Sequence, residues 1–207
     1  MRYISIDIES TGLDPLTCDI IEFGAVLDDL SNPQPLENLP RFHTYVCKDM
    51  YKGQPYALSM HPKIFRRIAE REAGYNYTYP NNLGKAFKDF LLQNGYEEEK
   101  GKIVRINVAG KNFAAFDLQF LKQTNFTDSV RISSRILDPA ILFFNKNDER
   151  LPGTEECLKR AGFEPNVAHT AIEDSLDVIK LIRYGLLTAT EYKATLQSNF
   201  GTATFKE

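Results

Sequence analysis

Ile4-Ser5-Ile6-Asp7-Ile8-Glu9-Ser10-Thr11-Gly12-Leu13 decides how this chain is read. Isoleucine alternates with a small or acidic residue at period two, which predicts a strand burying Ile4, Ile6 and Ile8 on one face and carrying Ser5, Asp7 and Glu9 on the other. Two carboxylates then point the same way. Their repulsion and desolvation oppose folding unless a cation sits between them or a proton neutralises one. An edge strand showing both acids to water is the alternative, and the pair alone does not decide between them. The following Ser10-Thr11-Gly12 consists of small residues that let a backbone turn sharply and approach a ligand.

The 207 residues, 43% hydrophobic and 26% charged, fit one globular domain of ordinary soluble composition. An acidic strand opens the chain and no apolar run reaches the length of a membrane span, so we expect a cytoplasmic protein without membrane contact. Cys18, Cys47 and Cys157 are odd in number and lack Cys-x-x-Cys spacing, which fits reduced, buried thiols. A net charge of -3 argues against holding nucleic acid by bulk electrostatics, but not against an enzyme acting on it, since carboxylates gathered around cations contribute that charge.

Outward from the first strand, residues 19–28 and 42–47 read as two further strands and 55–60 as a loop. Helices follow around Ile64 and Ile68 and around Leu83, Phe87 and Leu91. Strand and helix then alternate: a strand over 102–109, a helix with Phe113, Phe116 and Phe120 on one side, a strand over 130–137, and a helix over 151–161 closed by Gly162. The last long helix starts near Thr170, and residues 188–207 read as a peripheral tail after a domain of 1–187. Three strands followed by alternation predict a mixed sheet with helices on both faces, an arrangement that lets distant acids converge at one end of it.

Two segments supply such acids. Asp117 lies among alanine, phenylalanine and leucine in the first half of a predicted helix, with Asn112 as its expected N-cap. Thr170-Ala171-Ile172-Glu173 is a capping box, which sets Asp174 on a rigid first turn and leaves His169 in the loop ahead, free to approach a water as a proton acceptor. Glu173 and Asp177 read as surface acids.

Asp-x-Glu-Ser-Thr-Gly, Asn-x-x-x-Phe-Asp-x-x-Phe-Leu and His-x-x-x-x-Asp, in that order, resemble the three exonuclease motifs of the DnaQ-like, or DEDDh, 3'-to-5' exonucleases. The resemblance covers roughly residues 2–183. It implies an α/β, RNase H-like fold with a five-stranded mixed sheet. It makes Asp7, Glu9, Asp117 and Asp174 the ligands of two divalent cations, Mg2+ or Mn2+, with His169 the general base. Oxygen ligands suit such hard cations independently of the resemblance. It also implies that Ser10, Thr11 and Gly12 hold the terminal nucleotide, with Leu13 as an apolar wedge. Phe116 stacks there or belongs to the core, and His61 resembles a family histidine near the substrate. Asn112 belongs to the same motif and joins the substrate-binding set. Lys111 stands where many relatives carry His, and Ser175 where many carry Ala.

The activity implied is hydrolysis of single-stranded 3' ends to 5'-nucleoside monophosphates, DNA somewhat favoured over RNA. The alternatives are an RNA-trimming exoribonuclease of the ribonuclease T or oligoribonuclease type, and a non-catalytic binding module. A polymerase or repair partner and a homodimer are the associations such relatives suggest.

Overall fold

The computed structural model describes residues 1–164 and 170–200, with 189–200 as backbone alone. The strands are β1 (Arg2–Ser10), β2 (Ile20–Asp29), β3 (Arg41–Val46), β4 (Tyr77–Thr78), β5 (Glu98–Glu99), β6 (Ile103–Ile106), β7 (Val108–Ala109) and β8 (Val130–Ile132). The helices are α1 (Pro55–Met60), α2 (Pro62–Glu70), α3 (Pro80–Gln93), α4 (Asp117–Leu121), α5 (Phe126–Ser129), α6 (Ala140–Phe143), α7 (Thr154–Arg160) and α8 (Ala171–Phe200). No described helix is long and apolar enough to cross a membrane.

The main sheet is five-stranded and mixed, in the order β4-β3-β2-β1-β7, with β1 and β3 antiparallel to β2, and with β7 and β4 parallel to β1 and β3. A smaller sheet, β5-β6-β8, lies beside it. The run read as one strand over 102–109 divides at Asn107, so that β6 serves the smaller sheet and β7 the larger. Asn107 makes the break useful, because its carbonyl accepts the Ile4 N–H (2.9 Å) and its side-chain amide donates to the Arg2 carbonyl (3.2 Å). The stretch over 130–137 divides in the same way: after β8, Leu137 rejoins the main sheet through one parallel bridge to Ala109.

Both faces of β1 are covered, as strands paired on both sides require. Ile4, Ile6 and Ile8 pack with Phe23, Ala25 and Leu27 of β2 against Leu83, Phe87 and Leu91 of α3 and Phe126 of α5. On the other face Tyr3 and Val26 meet Val178, Ile179 and Ile182 of α8. A buried polar lock reinforces that contact. Asp28, fully buried, accepts hydrogen bonds from the Tyr3 hydroxyl (2.7 Å) and from Arg183 of α8 (3.0 and 2.5 Å).

Two further expectations change. Residues 55–60 form helix α1 rather than a loop, with Pro55 at its first position, where a missing N–H costs nothing. Asp177 is 4% exposed and paired with Lys180 (2.7 Å), so it is no surface acid. The last helix runs on to Phe200.

Candidate active site

β1 places Asp7 and Glu9 on the face that α8 covers. The opposing residues of β2 are Gly24 and Glu22. Gly24 is what lets the start of α8 come close: a Cβ there would lie 2.5 Å from the backbone carbonyl carbon of Ala171 and 2.7 Å from the Ile172 nitrogen. Ser175 adds a hydroxyl hydrogen bond to the Gly24 carbonyl (3.4 Å). Thr170 caps the helix, with the Glu173 N–H donating to Thr170 Oγ1 (3.3 Å), while Glu173 Oε2 accepts the Thr170 hydroxyl (3.1 Å). Asp174 is thereby carried to β1, and one ligand oxygen from each of Asp7, Glu9 and Asp174 lies within 4.8 Å of the others.

Asp117 stands outside that group of three but adds its charge to the repulsion on Asp7. It is the first residue of α4, 4% exposed, and its Oδ1 accepts the N–H of Ile8 (3.1 Å), beyond the last β1–β7 pair at Ser5. The helix is shorter than expected, because residues 111–116 form turns. Asn112 is therefore not its N-cap. It adopts the left-handed conformation (φ 57°) that asparagine tolerates, donates its N–H to Asp138 Oδ2 (3.0 Å), and offers its carbonyl to the N–H groups of Ala115 and Phe116 (both 3.1 Å). Lys111 forms an ion pair with the same Asp138 oxygen, 3.7 Å away.

The electrostatics are those of acids short of positive charge. Burial, and then the charges of Asp117, Asp174, Glu9 and Glu22, hold the Asp7 carboxyl well above the usual range. Burial and then Glu22 push Glu9 up to about 8, and burial pushes Asp117 up to about 7 against the opposing backbone hydrogen bonds. His61, at the junction of α1 and α2, brings Nε2 to 3.7 Å from Glu9 Oε2. Oxygen donors drawn from strand and helix, repelling one another in a partly dry setting, fit a hard divalent cation.

The loop after β1 is built from its own side chains. Thr11 is fully buried; its N–H donates to the Asp19 carbonyl (2.9 Å), its carbonyl accepts from Gln54 N–H (2.8 Å), and its hydroxyl donates to the Lys52 carbonyl (2.5 Å). These bonds fix the shape of the loop. Gly12 is buried against Cys18, whose Sγ would lie 2.5 Å from a Cβ there, and its carbonyl accepts the Ser10 hydroxyl (2.8 Å). Leu13 is left at the tip, 74% exposed. Phe116 is half-buried, its ring centroid 5.1 Å from that of Phe120. His169 lies outside the described residues.

Sequence reasoning missed two acidic-site neighbours and the glycine that admits α8. Glu22 was absorbed into an apolar strand and is 2% exposed; its Oε1 lies 2.6 Å from His43 Nε2. A charged residue within Ile20-Ile21-Glu22-Phe23-Gly24-Ala25-Val26 was the available signal for both Glu22 and Gly24. His43 carried none.

No protein-family model and no curated protein matches this chain. Solved structures do. Cell-death related nuclease 4 (CRN-4) superposes with a TM-score of 0.58 at 16% identity, over 90% of this chain and 64% of that one. The pseudoubiquitin hydrolase-RNA exonuclease module of Saccharomyces cerevisiae Pan2, in complex with AAGGA RNA, gives 0.60 at 12% identity over 96% of this chain and 31% of that one. E. coli exonuclease I in complex with a dT13 oligonucleotide gives 0.55 at 16% identity over 95% and 44%. The chain thus spans less than two thirds of the length of each. Its mixed sheet and flanking helices are the RNase H-like fold of these nucleases.

Proposed function

We propose that this chain is a divalent-cation-dependent 3'-to-5' exonuclease that hydrolyses single-stranded nucleic-acid ends to 5'-nucleoside monophosphates. The observation that carries the reading is the gathering of Asp7, Glu9 and Asp174 within 4.8 Å, from a strand and a helix more than 160 residues apart in sequence, with Asp117 buried and adding its charge to the repulsion on Asp7. The fold shared with a nuclease and two exonucleases, one of these in complex with AAGGA RNA and the other with a dT13 oligonucleotide, supports it.

In this reading Asp7, Glu9, Asp117 and Asp174 hold the cations, Mg2+ or Mn2+. Bound there, such ions would supply charge to screen the scissile phosphate and would acidify a nearby water. The residues do the rest. The rigid first turn of α8 keeps Asp174 against β1, and the Ile8 N–H holds Asp117 in place. His169, adjoining the capping box, accepts the proton of the attacking water. Leu13 presents apolar surface to the terminal base, and Phe116 adds an aromatic edge; stacking on such a ring contributes about 1–3 kcal/mol per base. His61 and Asn112 flank the bound end.

The test is product analysis. Matched single-stranded DNA, single-stranded RNA, mismatched duplex and dinucleotide are incubated with wild type and with Asp7→Asn, in Mg2+ and in chelator. Release of 5'-mononucleotides by wild type in Mg2+ alone supports the reading, and the panel ranks DNA against RNA. Equal release by Asp7→Asn, or none by wild type with any substrate, refutes it.

A further inference from the structure

Glu22 is a buried acid that the four ligands leave unexplained. It stands directly opposite Glu9 in the β1–β2 register, and directly opposed residues of an antiparallel pair project from the same face. The register shifts just beyond, between Glu9 and Ser10, leaving Ile21 as the extra residue. Ile21 packs with Tyr45, Cys47, Ile64 and Ile68, while Ile20 returns to the cluster of Ile4, Ile6 and Ile8. Such a bulge re-aims side chains locally, here at the rim of the acidic site.

The two oxygens of Glu22 are treated differently. Oε1 lies 2.6 Å from His43 Nε2, and His43 is held by Tyr45 and Tyr75, whose ring centroids lie 4.9 and 6.1 Å away. Oε2 is buried and has no hydrogen-bond partner among the described residues. A buried, unpaired carboxylate oxygen is destabilising, which a purely structural role leaves unexplained.

Resting on the exonuclease reading, we propose that Glu22 is an outer carboxylate of the cation site: His43 fixes one oxygen, leaving the other to accept hydrogen bonds from the hydration sphere of a cation held by Asp7, Glu9 and Asp174. It is a positioning residue, one step removed from the reacting atoms. Carboxylates in this role commonly tune affinity without touching the ion.

Mn2+ titration calorimetry, paired with thermal melts in chelator, tests this on wild type, Glu22→Gln and Glu22→Met. Both variants remove the charge and keep the length of the side chain. The expected result is an affinity loss of about 10-fold or more, with a chelated melting temperature equal to or above wild type because the unpaired buried charge is gone. Unchanged affinity overturns the proposal. So does an affinity loss accompanied by a lower chelated melting temperature in both variants, which marks a structural role. If wild type itself binds no Mn2+, the exonuclease reading fails first and takes this one with it. If wild type binds and both variants bind equally well, only this proposal fails.

Discussion

Adding a single methyl group at Gly24 should disable the site without touching a ligand. A Cβ at that position would lie 2.5 Å from the carbonyl carbon of Ala171, 2.6 Å from its oxygen and 2.7 Å from the Ile172 nitrogen. These are backbone atoms, so no rotamer change relieves the clash, and the first turn of α8 must retreat by about 1 Å. Overpacking of this kind costs about 1–3 kcal/mol, and each kcal/mol lowers the melting temperature by about 2–4 °C in a chain of this size. Asp174, three residues beyond Ala171, moves with the turn and leaves the cluster it forms with Asp7 and Glu9. Misplacement of a functional group by about 1 Å costs on the order of 100-fold in rate. Gly24→Ala is therefore expected to melt several degrees lower, to lose Mn2+ affinity in calorimetry, and to cleave a labelled oligonucleotide about 100-fold more slowly. A variant that melts lower but binds and cleaves like wild type would refute the reasoning, because the docking of α8 on Gly24 would then not set the site.

Arg183→Met leaves Asp28 buried without its cation while Tyr3 remains; chemical denaturation should show a loss of about 3–5 kcal/mol, and a loss under 1 kcal/mol would contradict the lock. The pH dependence follows from Glu9, raised from 4.5 to about 8, and Asp117, raised from 3.8 to about 7. The folded chain binds more protons than the unfolded one across that window, so its stability is full below the unfolded values and falls as pH rises through the folded ones. In chelator the melting temperature should fall from about pH 5 to about pH 8, with saturating Mg2+ flattening the decline and Glu9→Gln reducing it; equal slopes in all three would count against the electrostatic account. His169→Ala should lose about 100-fold or more in rate with Mn2+ affinity largely kept, and loss of metal binding instead would contradict its role as base.

Much of the site was legible because it rests on local patterns. Period two in Ile4–Glu9 put Asp7 and Glu9 on one face, and Thr-x-x-Glu fixed the start of α8 and hence the place of Asp174. What escaped depends on tertiary contact. Glu22 reads as one polar residue in an apolar run until β1 is laid beside it, and the importance of Gly24 is visible only once α8 rests on it. The strand expected over 102–109 carries Ile103, Val104, Ile106 and Val108, and the break at Asn107 that deals it to two sheets goes with its hydrogen bonds to β1. Asn112 had the right residue type for a cap, but its φ of 57° makes it a turn residue ahead of a shorter helix. At Pro55 the signal was present, since proline opens α1 at its first position.

The central claim is that Asp7, Glu9, Asp117 and Asp174 form a cation-dependent site for removing nucleotides from a 3' end. It is tested most directly by a time course on a 5'-labelled single strand, resolved at single-nucleotide length. The account predicts a ladder shortening stepwise from the 3' end in Mg2+ or Mn2+, abolished by chelator and by Asp174→Asn. Internal cuts, release of the labelled 5' nucleotide first, or an unchanged ladder in chelator would contradict it.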